Sequence, residues 1–442
     1  MTMAPEAPRI VIIGAGFGGL AAAAGLANSG LPVTVIDKTN YNLFVPLLYQ
    51  VATAELAPSD IAEPIRKILH RHPNIDVLLA EVTAIDTTNR MVSLRGGKII
   101  PYDRLIIGTG SQYNYFGHDR WATVAPGLKT IEDARRIRSR LLMTFELAEM
   151  TDDAERQAAL MTTIIVGGGP TGVELAGSIA ELARFTLARD FRHVRPELAK
   201  IILVEAAPRL LGGFHPRLSD YAERRLKKLG VTVLLGQKVE DLRANGAMIG
   251  GQFMPAGTLI WAAGVRASPA ADWLGIPTDG SGRIPVNADL SVKGLDSVYA
   301  LGDTALCLDA NGVPLPALGQ VAKQQGMYLG RALGRHLRDG RPMRPFRFRN
   351  RGNAGIIGRN AAFFDFDRWR LTGFLAWILW ALVHVWGLVG FEKRTLVTMQ
   401  WLWRYVSYQR GSRLITHQDA PPEALGADAA PVSQHRVKDT RA

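Results

Sequence analysis

A glycine-rich turn set between a β-strand and an α-helix occurs twice in these 442 residues, and each copy leads to a second strand ending in an acid. A charge-free run rich in tryptophan lies near the C-terminus. Together these observations predict an α/β chain of two Rossmann-like dinucleotide-binding domains followed by a C-terminal membrane-associating α segment.

The first copy starts after a short tail, Met1–Pro8, which shows no export signal. Arg9–Ile13 reads as a strand, Gly14-Ala-Gly-Phe-Gly-Gly19 as the turn, Leu20–Asn28 as a helix capped by Gly30, and Val33–Ile36 as a strand ending at Asp37. Glycines in this context permit a tight turn and bring pyrophosphate onto a helix N-terminus, and the acid accepts ribose hydroxyls. Asn40–Ile65 is apolar without a clean period and is broken by Pro46, so it reads as a loop covering a bound ring. Val77–Leu79, Glu81–Asp86, Met91–Leu94 and Lys98–Ile100 read as short antiparallel strands. Leu105–Ile107 returns to the parallel sheet and ends in Gly108-Thr-Gly-Ser, a second loop near the nucleotide.

Thr130 with Asp133 signals a helix running to about Gln157. The fingerprint then repeats: strand Met161–Val166, turn Gly167-Gly-Gly-Pro-Thr-Gly172, helix Val173–Phe191, strand Ile201–Val204 and the acid Glu205. A carboxylate there favours NADH over NADPH, because it bonds a free 2′-hydroxyl and repels a 2′-phosphate. Thr258–Trp261 closes the second unit at Ala262-Ala-Gly-Val-Arg266. Arg283–Val286 and Val298–Leu301 return to the first sheet. The second unit is therefore inserted in the first, giving residues 1–120 and 267–338 as one domain and 121–266 as the other. Gly302-Asp303 closes strand Val298–Leu301, and a helix beginning near Ala317 aims its N-terminus at the same place.

Beyond Arg338 the character changes. The window 331–413 holds 16 Lys and Arg against 4 Asp and Glu, which is the entire net charge of +12, and six of the nine tryptophans. Such a composition suits an anionic membrane surface or nucleic acid. The aromatics cluster in apolar runs instead of alternating with arginine, which favours the membrane and argues against nucleic acid. Leu371–Phe391 carries no charge over 21 residues. As one helix it would reach about 31 Å, but basic residues flank both ends, so we expect a peripheral, monotopic segment over 339–415. Thr395–Gln409 reads as an interfacial helix with an apolar arc of Leu396, Met399, Leu402, Trp403 and Val406. Residues 416–442 read as a disordered tail. Cys307 is the one cysteine, which excludes a disulfide framework or a redox pair within the chain, and His70 and His72 read as solvent-facing, so no metal site is expected.

The motifs Gly14–Gly19, Leu43-Phe-Val-Pro-Leu-Leu-Tyr-Gln-Val-Ala-Thr53, Gly167-Gly-Gly-Pro-Thr-Gly-Val-Glu174, Trp261-Ala-Ala-Gly-Val265, Ala300-Leu-Gly-Asp303 and Gln320-Val-Ala-Lys-Gln-Gln-Gly326 resemble those of the type II NADH dehydrogenases over about residues 9–415. These are single-subunit, FAD-containing NADH:quinone oxidoreductases that do not pump protons. The resemblance implies that non-covalent FAD binds through Gly14, Gly16, Gly19, Asp37, Lys38, Pro46, Thr109, Gly302, Asp303 and Gln320. NADH would bind through Gly167, Gly169, Gly172, Glu205, Ala263 and Gly264. It implies catalytic roles for Glu174, beside the nicotinamide and a proton relay, and for Gln320 and Gln324, hydrogen-bonding the quinone. It also implies ubiquinone or menaquinone as acceptor, an anionic bilayer on the cytoplasmic face of a bacterial inner membrane, and room for a homodimer. The family usually has Thr-Ala where this chain has Leu318-Gly319, and Gln where it has Val45. The rival expectation is a soluble FAD-dependent reductase serving a protein such as ferredoxin.

Overall fold

The computed structural model describes residues 7–366, 369–388, 391–407 and 411–415. The tail expected to be disordered, 416–442, lies outside them. Two parallel sheets organise the chain. In the first, five strands run in the order Val298–Ala300, Arg104–Ile107, Ile10–Ile13, Val33–Asp37, Ile75–Leu79. Ile10–Ile13 is wholly buried, as the central strand of a sheet covered on both faces must be. In the second, four strands run Val231–Leu235, Lys200–Glu205, Thr162–Val166, Thr258–Trp261. The repeat extends further than the glycine turns, because each unit carries a three-stranded antiparallel meander: Val82–Asp86, Met91–Leu94 and Ile99–Pro101 in one, Val239–Arg243, Gly246–Ile249 and Gln252–Pro255 in the other. Ser111–Tyr113 pairs antiparallel with Val265–Ala267 and ties the two crossings between units together.

Several expectations change. The strand expected at Val77–Leu79 as antiparallel is Ile75–Leu79, parallel to Val33–Asp37; the short helix Ile65–Leu69 supplies the crossover that this requires. The strand at Arg283–Val286 does not rejoin the first sheet. Ile284–Pro285 instead pairs with Ala305–Leu306, and Pro285 has no N–H for a central ladder. The helix from Thr130 ends at Glu149, and a second, Ala154–Leu160, starts where Asp153 accepts from the N–H groups of Glu155 and Arg156. The helix over the second turn is α-helical only for Pro170–Glu181 and then loosens into a π-turn at Leu182–Thr186.

Glycines let the first fingerprint helix, Phe17–Leu26, lie backbone to backbone against Gly319–Asp339. A Cβ on Gly326 would stand 2.0 Å from the Gly18 carbonyl oxygen, and one on Gly330 2.3 Å from that of Ala22. This contact fixes the helix Gly319–Asp339 over the first glycine turn.

The charge-free C-terminal run is divided. Arg370–Gly373 is the third strand of a sheet with Asn353–Gly358 and Ala361–Asp365, and Gly373, at φ +85°, turns the chain into helix Phe374–Gly387. At 14 residues that helix is about 21 Å long. Among the described residues no helix is long and apolar enough to cross a membrane. The next helix is Phe391–Ser407, starting four residues before the expected Thr395. Trp380 and Ala376 face inward. Phe374, Leu375, Ile378, Leu382, Val383 and Trp386 of the first helix are exposed, as are Leu396, Met399, Leu402, Trp403 and Val406 of the second. The expected apolar arc therefore exists, and it faces out. The C-terminal sheet packs on the second unit: a Cβ on Gly177 would meet the carbonyl oxygen of Ile357, in strand Asn353–Gly358, at 2.0 Å.

Candidate active site

The two glycine turns are built alike down to single atoms. Gly14 (φ +94°) and Gly167 (φ +110°) occupy backbone conformations that L side chains resist, and a Cβ on either would strike the loop after the neighbouring strand, at Gly108 and at Ala263. Gly19 and Gly172 pack against Gly14 and Gly167, where a Cβ would lie 1.7 and 1.8 Å from the carbonyl oxygens. At Gly16 and Gly169 nothing lies within 4 Å of a Cβ, so the helix N-terminus is open on that side. An extended, phosphate-bearing chain can reach the helix N–H groups only through such an opening.

The acids serve the turns directly. Asp37 Oδ2 accepts from the Ala15 N–H at 2.6 Å, and Oδ1 accepts from the Thr39 N–H and hydroxyl at 2.8 Å each. Glu205 Oε2 accepts from the Gly168 N–H at 2.5 Å, and Oε1 from the Ala207 N–H at 2.7 Å. A carboxylate has about four lone-pair directions, so both acids keep acceptor capacity beyond these bonds. Asn42 donates to the Ala15 carbonyl at 2.7 Å and secures the first turn.

Around the first turn the structure collects Thr109, Gly302, Asp303 and Lys38. Thr109 shares a 2.5 Å hydroxyl contact with Ser268. Gly302 has φ +68°, and its N–H is held by the buried Gln325 side chain at 2.7 Å. Asp303 accepts from Ser111 at 2.6 Å, and Ser111 in turn accepts from Lys129 Nζ at 2.9 Å. Burial lowers the Lys129 ammonium below its ordinary range, and Asp303 opposes that shift. Sequence reasoning passed over Ser111, Lys129 and Gln325. Gln325 lay inside a quoted motif, but its partner is a backbone N–H that no pattern reveals. Pro46 sits in the short 3-10 turn Val45–Leu47, and Lys38 is exposed just beyond Asp37. Ala263 and Gly264 follow the last strand of the second sheet against Gly167 and Phe116.

The glutamines bond to the segment that follows their helix. Both amide hydrogens of Gln320 are donated within the protein, to the Gly352 carbonyl at 3.1 Å and Asn353 Oδ1 at 3.0 Å. Gln324 clasps Arg349 through both N–H···O bonds, at 3.0 and 3.1 Å. These side chains hold the segment entering the C-terminal sheet.

Glu174 follows the second glycine turn by two residues. It lies in the second turn of Pro170–Glu181 and accepts from the Ile356 N–H. Burial pushes its carboxyl up to about 8. It lines a cavity of about 320 Å³ bounded by Tyr49, Gln50, Phe185, Trp377, Trp380 and Trp401. Burial likewise raises the Tyr49 phenol well above its usual range. His384 stacks on Trp380 with ring centres 4.3 Å apart, and burial lowers it to about 4. Its Nδ1 lies 2.8 Å from the Trp380 carbonyl and must carry the hydrogen of that bond.

Residues 8–326 match the family model described as pyridine nucleotide-disulphide oxidoreductase. The redox disulfide of that description has no counterpart here, since Cys307 is the sole cysteine. The chain is 38% identical over 430 residues to the type II NADH:quinone oxidoreductase Ndh of Mycobacterium tuberculosis, covering 94% of this chain and 92% of the relative. It is 40% identical to NdhA of the same organism, covering 93% and 90%. NDH2 of Plasmodium falciparum, solved in complex with NADH, shares the fold with a TM-score of 0.85 at 20% identity, over 93% of this chain and all of that one. Doubled nucleotide turns, a missing disulfide and relatives alike along nearly their full length lead to one conclusion: the chain belongs to the type II NADH:quinone oxidoreductases.

Proposed function

We propose that residues 1–120 and 267–338 bind FAD, that 121–266 bind NADH, and that the enzyme reduces a quinone at a bilayer surface contacted by 339–415. The observation that carries this reading is the twofold turn, each copy open at one glycine and closed by its own acid. FAD, when bound, supplies a ring that takes hydride from NADH and hands two electrons onward. The chain does the rest. Gly16 and Gly169 admit the two pyrophosphates to helix N-termini. Asp37 and Glu205 accept ribose hydroxyls with the capacity their backbone bonds leave, and Glu205 disfavours the 2′-phosphate of NADPH. Asp303 and the N-terminus of Gly319–Asp339 face the flavin end of the first site, where the helix dipole favours negative charge. Glu174, kept protonated by burial, is the proton donor on the acceptor side. Gln320 and Gln324 act by positioning the strand Asn353–Gly358.

The outward apolar faces of the two C-terminal helices lie in the membrane interface. The basic charge of that region attracts anionic headgroups, on the cytoplasmic face of a bacterial inner membrane. The protein purified in detergent should show a bound-flavin spectrum and convert NADH and a short-chain quinone one for one. Purification without flavin, or NADPH oxidised as fast as NADH, would overturn the corresponding part of this reading.

A further inference from the structure

Tyr115–His118 is a tight turn whose backbone suits other residues than it has. The His118 N–H donates to the Tyr115 carbonyl at 3.0 Å, and the two central residues, Phe116 and Gly117, have φ of +51° and +88°. Positive φ at both central positions marks a type I′ turn, which favours Asn-Gly. Phenylalanine fits the first of them poorly, because a bulky L side chain resists that conformation. Packing does not compensate, since Phe116 is 62% exposed. A residue that neither backbone preference nor burial explains points to a function. Its neighbours belong to the second nucleotide turn. Asn114 Oδ1 accepts from the Phe116 N–H at 2.9 Å, the Asn114 N–H donates to the Gly264 carbonyl at 3.3 Å, and the Asn114 carbonyl accepts from the Trp261 indole N–H at 3.1 Å. These bonds stitch the turn to the end of strand Thr258–Trp261. The tip of the Phe116 ring rests on Gly264 (φ +69°), where a Cβ would lie 2.5 Å from Cζ. Ala262 and Ala263, just before it, are the residues that a Cβ on Gly167 would strike. Val265, just after it, is exposed as well.

Strand order decides which part of a dinucleotide would meet this ring. In the second sheet Thr162–Val166 lies between Lys200–Glu205 on one side and Thr258–Trp261 on the other. The winding of the chain reverses there, and ligands of such sheets lie across the carboxyl ends of the strands at that point. In the proposed NADH site the pyrophosphate would sit at Gly169, beyond Thr162–Val166, and the adenosine ribose at Glu205. The nicotinamide half would then extend to the other side, over Ala262–Val265. We propose that Phe116 is a substrate-binding residue, which with Val265 forms the apolar wall that holds the nicotinamide half of NADH. The assignment rests on NADH occupying the second site.

Phe116→Asn gives the turn the residue its backbone prefers and removes the ring. The Kd for NADH, read in stopped flow from the concentration dependence of flavin reduction, should rise about tenfold, as the loss of one aromatic contact implies. The melting temperature should not fall and the flavin content should match wild type, because an exposed ring at positive φ does little for the fold. Phe116→Tyr, whose hydroxyl can project into solvent, should bind NADH within twofold of wild type. A Phe116→Asn Kd within twofold of wild type overturns the assignment, and so does a Phe116→Tyr Kd as weak as that of Phe116→Asn. A Phe116→Asn protein that melts lower and loses flavin together with NADH affinity would assign the ring to the fold, which overturns it equally. Wild-type protein that holds flavin but is not reduced by NADH would defeat the reading of the second site itself, a result separate from either variant.

Discussion

Glu205 shows how one side chain performs two tasks. It closes the Gly167–Gly172 turn through the Gly168 N–H, and in the proposed NADH site its charge would face the ribose. Glu205→Gln retains an acceptor and loses the charge. Its preference for NADH over NADPH, taken as the ratio of kcat/KM values, should fall about tenfold. Glu174 gives a stability signature. In the unfolded chain it ionises near its ordinary 4.5, and in the folded protein burial holds it protonated up to about 8. Between these values the unfolded state releases a proton that the folded state keeps, so stability falls as pH rises through that window and levels off above it. Glu174→Gln should therefore melt higher than wild type, by a margin that widens from pH 5 to pH 8 in thermal scans. An equal margin at both ends would mean that the carboxyl is not held neutral.

At the scale of elements, the packing of Phe17–Leu26 on Gly319–Asp339 has almost no tolerance. Gly326→Ala would place a methyl 2.0 Å from a carbonyl oxygen that belongs to the turn-bearing helix. We expect a loss of about 1–3 kcal/mol, typical of overpacking, read as a lower melting temperature with weakened flavin retention. Regular elements were the most legible part of the sequence. Both glycine turns, both acids and the central buried strands stand where their patterns place them, because local sterics dictate them. Misreadings fall where tertiary contacts decide. Ile75–Leu79 looks like its antiparallel neighbours until the crossover before it is seen. Nothing in Leu182–Thr186 announces a π-turn. The glutamine spacing showed that Gln320 and Gln324 share a face, and the folded chain lays residues 349–353 against it.

Over the whole molecule, charge and apolar exposure converge on one end. Trp403, Val406, Leu402 and Trp386 are between 64% and 80% exposed, far more apolar surface than isolated side chains on a soluble face. In flotation assays the protein should rise with anionic vesicles and lose much of that binding in high salt. Trp403→Asp together with Val406→Asp should abolish flotation and leave flavin reduction by NADH unchanged. Wild-type protein that stays at the bottom of the gradient would count for a soluble reductase instead. The sequence showed that this end is basic and rich in tryptophan. It did not show that a three-stranded sheet divides the uncharged run, because Gly373 and the pairing of Arg370–Gly373 with Ala361–Asp365 act only in the folded chain.

The contact between Gly177 and Ile357 joins the apolar C-terminal end to the helix that carries the second glycine turn. A keel bolted to the engine block cannot be swapped without realigning the shaft. Exchanging residues 339–415 for the equivalent piece of a cousin should disturb NADH turnover even in detergent, where no bilayer is there to be missed.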